Sequence, residues 1–180
     1  MSSHFHKLTI AKITKEAAKT VAITFAIPDN LKSDFVFKAG QNLTLRAFIN
    51  GEDVRRSYSI CSSPNSDELT VAVKAIEKGK FSNYAYDTLK EGDAMDVMSP
   101  TGSFLVDRAA NTHVFMAAGS GITPVLSMIK VIVENGLGKA ILFYANKSAA
   151  ETIFKSELDA LATGSENFDL HYIYTQEDSG

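Results

Sequence analysis

The first part of the chain alternates apolar and polar positions. Val21, Ile23, Phe25 and Ile27 occupy every second place until Pro28-Asp29-Asn30 stops the run, the pattern of a strand with one buried face. Leu43, Leu45 and Ala47 repeat it after Gly40-Gln41-Asn42. Asn50-Gly51 is a hairpin signal that joins this strand to the next. In that next strand Tyr58 and Ile60 alternate with serines, and Pro64-Asn65-Ser66-Asp67 ends it. Leu69, Val71 and Val73 continue the series, and Asp93 to Met98 adds a short strand before the turn Ser99-Pro100-Thr101-Gly102. Roughly six strands of this kind predict a small antiparallel β-barrel. One segment breaks the rhythm. After Gly79-Lys80-Phe81-Ser82-Asn83, the stretch Tyr84 to Leu89 reads as a short helix that ends near Glu91-Gly92, with Ser82 as its N-cap.

From Asn111 the pattern becomes strand, helix, strand, helix, strand. His113 to Ala118 is a nearly continuous apolar run, as in a buried parallel strand. Gly119-Ser120-Gly121-Ile122-Thr123-Pro124 follows at once, with Thr123 placed to cap a helix and Pro124 at its first position. Val125, Ile129, Ile132 and Val133 line one face of that helix, and Asn135-Gly136 closes it. Ala140 to Tyr144 is a second buried strand, and Ser148-Ala149-Ala150-Glu151 has capping-box spacing. Phe154, Leu158 and Leu161 form the next helical stripe up to Gly164, and Phe168 to Tyr174 is a third strand. The predicted fold is thus a β-barrel over 1–108 followed by an α/β parallel-sheet domain over 109–180, about half of a doubly wound fold.

Composition narrows the function classes. The chain has 180 residues, 45% of them hydrophobic, enough for a core, and a net charge of −3 with no long basic run, which argues against a nucleic-acid surface. Its single cysteine, Cys61, excludes an internal disulfide and a four-cysteine iron–sulfur site within these residues. The start, Met1 to His6, lacks the basic and apolar regions of a signal peptide, and no apolar run approaches the ~18 residues of a membrane span. A cytoplasmic protein is expected.

Two stretches carry candidate chemistry. In Arg55-Arg56-Ser57-Tyr58-Ser59-Ile60 a guanidinium fork that suits a phosphate, a flat ring and short-range hydroxyls lie close together. Such a set would hold a ligand with both a phosphate and an aromatic system, such as a flavin nucleotide; it also suits an ordinary barrel strand with solvated arginines. The glycine turn 119–124 sits between strand and helix, where a pyrophosphate would meet backbone donors and a positive helix end. Pro124 departs from the full G-x-G-x-x-G, and Asn146-Lys147 stand where a ribose-binding carboxylate is usual, so a tight turn without a ligand is the other reading. Gly79 before the short helix offers a further anion site, or simply a helix that plugs the barrel.

The order of these features resembles the ferredoxin–NADP reductase superfamily. Arg56-Ser57-Tyr58-Ser59, then Gly79-Lys80-Phe81-Ser82, then Pro100-Thr101-Gly102-Ser103-Phe104, then Gly119-Ser120-Gly121-Ile122-Thr123-Pro124 follow the family's sequence of motifs over essentially the whole chain. The segment Arg56 to Pro64 resembles, more narrowly, the reductase components of bacterial multicomponent oxygenases. The resemblance implies an FAD-dependent NAD(P)H oxidoreductase that passes electrons to an iron–sulfur centre or an oxygenase partner. It implies that Arg56 holds the flavin pyrophosphate, that Tyr58 stacks on the isoalloxazine and that Ser59 sits near the flavin N5, with Ser57 in the same motif. Val73, Lys74 and Ile76 would run beside the ribityl and adenosine side, and Gly79, Lys80, Phe81 and Ser82 would place the helix start on the FAD phosphates. Gly119, Ser120, Gly121, Thr123 and Pro124 would form the pyridine-nucleotide phosphate turn, with Asn146 and Lys147 beyond the second strand. Lys147 could pair with a 2′-phosphate, whereas Gln176 stands near where NADP-using relatives often show an arginine; NADH and NADPH both stay open. Relatives of this type carry a plant-type 2Fe–2S domain, and their nucleotide domain continues past Thr175-Gln176-Glu177-Asp178, so the resemblance implies a fragment of a longer reductase. A non-catalytic flavin- or nucleotide-binding regulatory module of the same fold is the alternative, although the lone Cys61 disfavours the cysteine-rich form of it.

Overall fold

The barrel is built from six antiparallel strands, and the computed structural model describes residues 4–176 of the chain. The sequence readings at Met1–Ser3 and at Glu177-Asp178 lie outside the described residues. Strands β1 (Phe5–Ala17), β2 (Thr20–Ala26), β3 (Asn42–Ile49), β4 (Glu52–Ser59), β5 (Leu69–Lys74) and β6 (Ala94–Met98) pair in the order β4-β3-β6-β1-β2-β5. The two ends of this order meet at an Ile60–Val71 bridge and at Cys61, whose N–H donates to the Thr70 carbonyl at 2.9 Å. Leu8, Ile10, Ile23, Leu43, Leu45, Leu69, Val71 and Val97 are buried inside. The strand that periodicity does not reveal is β1. Its register against β2 shifts between Ile10 and Lys12 and again between Lys15 and Ala17, so the buried set changes phase along the strand.

Helix α1 (Lys80–Asp87) follows β5 and packs against β3, β4 and β5. Its N-cap is Gly79, not Ser82. Ser82 is the third helical residue, and its hydroxyl accepts the Ile76 N–H at 3.3 Å, so it staples the turn that leads into the helix.

Beyond the barrel, β7 (Thr112–Ala118), α2 (Ile122–Asn135), β8 (Lys139–Asn146), α3 (Lys155–Gly164) and β9 (Phe168–Tyr174) form a parallel sheet in the order β7-β8-β9. A 3₁₀ turn over Gly119–Gly121 starts the winding early, so Thr123 and Pro124 are the second and third residues of α2 rather than its cap and first residue. The Thr123 hydroxyl donates back to the Ser120 carbonyl at 3.1 Å. Pro124 still fits, because N–H groups of the first turn have no intrahelical acceptor to lose. Gly136, at φ +61, closes α2 as the sequence predicts. The Ser148/Glu151 capping box does not form. Ala149–Glu151 is a separate 3₁₀ turn, α3 begins at Lys155, and the Glu151 carboxylate pairs with Lys74 at 3.4 Å. The buried positions of α2 and α3 pack on one face of the sheet. On the other face Val114, Met116, Phe143 and Ile173 are exposed.

The two halves meet along α2. Ala22, Cys61 and Ala72 point outward from the barrel and are buried against Ile122, Val125, Leu126 and Ile129. Small side chains at these three places let the helix lie close to the strands. The segment after β4 is then bonded to the helix residue by residue. Ser127 Oγ donates to the Ser62 carbonyl at 2.7 Å, and Lys130 Nζ donates to the Cys61 carbonyl at 3.1 Å. Ser63 Oγ and Asn65 Nδ2 both donate to Glu134 Oε2. Residues 127, 130 and 134 share one side of a helix by their spacing.

Two outcomes are expected. Gly40 has φ +96, and a β-carbon there would run into the Phe104 carbonyl oxygen and the Met128 methyl group; Gly51, at φ +80, has open space around it. In urea unfolding, Gly51→Ala should cost about 1 kcal/mol of stability for the left-handed backbone alone, and Gly40→Ala roughly 3 kcal/mol or more. A cost at Gly40 no larger than at Gly51 would contradict this close approach. Burial pushes the Cys61 thiol up from 9.0 to about 12. Native protein at pH 8 should therefore not react with a thiol-specific disulfide reagent until it is unfolded. The stability tied to the neutral thiol is present in full below pH 9 and is lost as pH rises towards 12.

Candidate functional site

The two arginines of β4 are in different states. Arg55 donates through Nε and Nη2 to the two carboxylate oxygens of Asp53, at 3.0 and 2.7 Å, so its fork is filled. Arg56 is exposed, and its Nη1 donates to the Arg55 carbonyl at 2.6 Å. By strand alternation Arg56 shares a face with Tyr58, whose ring is half-buried and lies 5.6 Å, centroid to centroid, from that of Phe81 at the start of α1. Burial pushes the Tyr58 phenol up to about 12, so the ring is neutral at ordinary pH. On the opposite face the Ser57 hydroxyl bonds the Thr44 hydroxyl at 3.0 Å. Ser59 is half-buried at the end of the strand.

The structure brings the β5–α1 turn to this strand and gives its members unequal parts. The α1 N-terminus has no side-chain cap, which leaves its opening N–H groups without that acceptor. Lys80 is held by Glu52 at 2.6 Å. Phe81 is buried behind Tyr58, Ser82 is committed to Ile76, and Val73 lies in the core. Of Val73, Lys80, Phe81 and Ser82, then, only the backbone is offered to a ligand. Ile76 is exposed beside them. A cavity of about 230 Å³ lies here between the β3–β4 hairpin and the helix start, lined by Ile49, Asn50, Gly79 and Asn83 among others.

The second concavity, about 300 Å³, opens at the carboxyl ends of the parallel strands. Lys74, Gly119, Asn146, Lys147, Glu151 and Thr175 line it. The glycine turn is an open cradle, since a β-carbon on Gly119 or Gly121 would meet no atom within 4 Å. Tyr144 pins the turn from below, its hydroxyl donating to the Gly119 carbonyl at 2.9 Å. Ser120 and Gly121 are exposed, Thr123 is buried, and Pro124 is half-buried. Asn146 Nδ2 is buried with no hydrogen-bond partner among the described residues. Lys147 is exposed and shares the rim with Gln176, whose N–H donates to the Lys147 carbonyl. The turn also packs against β5, which brings Lys74 across to Glu151.

Sequence reasoning does not find Tyr144, Glu151, Glu52 or Thr175. Each acts through a partner distant in the chain; no local motif marks Tyr144, Glu52 or Thr175, and the one that holds Glu151 points to a helix cap rather than to Lys74. The donor set fits a molecule with a phosphate and a flat ring on the barrel, and a second phosphate-bearing molecule over the glycine cradle. Among the described residues, no helix is long and apolar enough to cross a membrane.

Comparison with known proteins agrees with this geometry. An oxidoreductase FAD-binding domain family matches residues 7–105, and an oxidoreductase NAD-binding domain family matches 115–180. The chain is 39% identical to a subunit of the 1,2-phenylacetyl-CoA epoxidase of Escherichia coli K12, over 96% of this chain and 50% of that protein. It is 40% identical to the ferredoxin reductase component of 3-ketosteroid-9-alpha-monooxygenase of Rhodococcus rhodochrous, over 86% and 45%. The chain thus spans about half the length of these curated relatives. Among solved structures, phthalate dioxygenase reductase superposes with a TM-score of 0.80 at 28% identity, over 97% of this chain and 53% of that one. The flavohem-like FAD/NAD-binding domain of nitric oxide dioxygenase from Vibrio cholerae has a TM-score of 0.86, over 96% of this chain and 75% of that one, and at 23% identity it shows the fold alone. With its antiparallel barrel, its glycine-turn parallel sheet and both domain matches in order, the chain belongs to the ferredoxin–NADP reductase family of FAD- and NAD-binding oxidoreductase domains.

Proposed function

We propose that the chain holds FAD on the barrel and NAD(P)H on the parallel sheet, as the cofactor-holding part of a reductase that passes electrons to an iron–sulfur centre or an oxygenase. The observation that carries this reading is the Arg56 guanidinium, bonded to the Arg55 carbonyl but to no carboxylate among the described residues, on the same strand face as the half-buried Tyr58 ring and beside the uncapped start of α1. Bound FAD supplies the chemistry that takes a hydride from the nicotinamide and releases electrons to an acceptor.

The residues act by binding and orienting. Arg56 clamps the pyrophosphate, and the N–H groups of Lys80, Phe81 and Ser82 add a helix-end dipole to it. Tyr58 gives its flat face to the flavin ring, with Phe81 fixing it from behind. Ser59 brings a hydroxyl to the flavin N5, and Ser57 is kept in rotamer by Thr44. The backbone of Val73 to Ile76 runs along the ribityl and adenosine side. On the other domain Gly119, Ser120 and Gly121 let the nucleotide phosphates reach backbone donors, while Thr123 and Pro124 set the first turn of α2. Asn146 supplies its unpaired amide to the nucleotide ribose, and Lys147 stands at the rim for a 2′-phosphate. Similarity to reductase components of oxygenase systems supports the onward transfer.

FAD titration of four proteins tests the assignment. Arg56→Ala should weaken FAD binding by roughly tenfold or more, the value of about 1.5–3 kcal/mol for a hydrogen bond to a charged group. Tyr58→Ala should cost about 0.5–1.5 kcal/mol of stacking, a few-fold. Arg55→Ala should leave the affinity unchanged, because Asp53 occupies its fork. Equal affinities of the native chain and all three variants would overturn the site.

A further inference from the structure

Behind the seam between the two halves lies a larger cavity, about 420 Å³, that neither proposed cofactor site uses. It borders α2 at Val131 and Asn135, more than two turns beyond Thr123 and therefore roughly 12 Å or more along the axis from the glycine turn. Its walls come from four places. Phe37, Lys38 and Ala39 belong to the barrel, Pro64 and Asn65 to the segment after β4, Val131 and Asn135 to the helix, and Leu105, Val106 and Arg108 to the connection between the two halves. Ala39 and Val131 are buried in one cluster with Met128, and Val106 packs on it, so the floor is apolar and preformed. The volume lies within the ~300–1,000 Å³ usual for small-molecule sites.

The charge of the rim is one-sided. Among the described residues neither Lys38 nor Arg108 takes part in any of the ion pairs, whereas Arg46, Arg55, Lys74, Lys80 and Lys130 all do. No carboxylate lines the cavity. The nearby carboxylates keep their charge but stand outside the lining: Glu134 Oε2 accepts from Ser63 and from the wall residue Asn65, and Asp107 Oδ1 accepts from the Ala109 N–H. An apolar floor with two unmatched cations at its mouth selects an amphipathic anion over a neutral or cationic molecule.

We propose that this cavity binds a small amphipathic carboxylate. Its hydrocarbon chain lies on Phe37, Val106 and Val131, and its carboxylate meets Arg108 with Lys38 beside it. Such a ligand touches both halves and the segment joining them, so it stabilises the seam in proportion to its occupancy. The site is independent of the flavin reading, since it shares no residue with it.

Octanoate, acetate, octan-1-ol and octylamine serve as probes in thermal unfolding and calorimetric titration of the purified chain. Octanoate should raise Tm with concentration and bind about tenfold or more tightly than octan-1-ol, in line with a charge-assisted contact. Acetate and octylamine should give no shift. Arg108→Glu, and separately Leu105→Asp, change exposed residues; each should keep the unliganded Tm and lose the octanoate shift. Equal shifts from octanoate and octan-1-ol, a shift from octylamine, or full octanoate binding by both variants would overturn the proposal. Uptake of FAD without octanoate binding would overturn this site alone, and octanoate binding without FAD uptake would overturn the flavin reading alone.

Discussion

The docking of the segment Cys61 to Asn65 onto α2 is the constraint on which the arrangement depends. Ser59 ends β4, and two residues later the Cys61 carbonyl is held by Lys130. On the other side Thr123 lies in the first turn of α2, and one turn later Ser127 holds the Ser62 carbonyl. Barrel strand and glycine turn are therefore each only a few bonds from the same set of hydrogen bonds. Their relative position follows from a short, buried path rather than from a flexible connection. Cys61 lies at the centre of that path as a small apolar side chain, with its Sγ donating to the Thr70 carbonyl at 3.3 Å. A larger residue there would push the helix off the strands, and a charged one would be left unpaired in the interface.

Pairing decides which charges are structural and which are free for binding. Arg46 is bonded to Asp96, Arg55 to Asp53, Lys80 to Glu52 and Lys74 to Glu151. These exposed or half-exposed pairs add little stability each, but they remove their cations from competition for an anion. Among the described residues, Arg56 on β4 stands without a carboxylate partner, as do Lys147 at the cavity beside the glycine turn and Lys38 and Arg108 at the cavity behind the seam. The Lys74–Glu151 pair does more than neutralise. It joins the end of β5 to the wall of the nucleotide-side cavity, so a ligand entering there meets a carboxylate already held in place.

Much of the fold was legible because burial on one face leaves a two-residue rhythm, and helices on one face leave a longer one. The rhythm fails where a second surface is buried as well. Ala72 of β5 and Ala22 of β2 face outward yet are buried, because α2 covers them, and no alternation could announce that. It fails again in β1, where a bulge changes the phase. At the site, residue types were legible and their partners were not. Gly79-Lys80-Phe81-Ser82 marks a helix start, but only the fold shows that Glu52 takes the lysine, Tyr58 covers the phenylalanine and Ile76 takes the serine. Thr123 and Ser148 have the chemistry of caps, yet 3₁₀ turns beside them shift the helix starts, a backbone choice set by neighbours far along the chain.

The unsatisfied polar groups gather at one edge of the parallel sheet. Asn146 Nδ2 and Tyr174 OH are both buried without a hydrogen-bond partner among the described residues, and the two residues stand opposite each other in the register of β8 and β9. Leaving such a group unpaired costs about 1–3 kcal/mol. A core would replace them with apolar residues of similar shape at little loss. Their position at the carboxyl edge of a parallel sheet, beside an open glycine turn, is where an α/β domain meets its ligands. Of the two residues Asn146 lines the cavity at this edge, so a polar group entering there would meet its amide. The exposed sheet face carrying Val114, Met116 and Phe143 differs from this edge in kind. That face offers area but no directed polar group, whereas the edge offers donors whose geometry is already set by the strands.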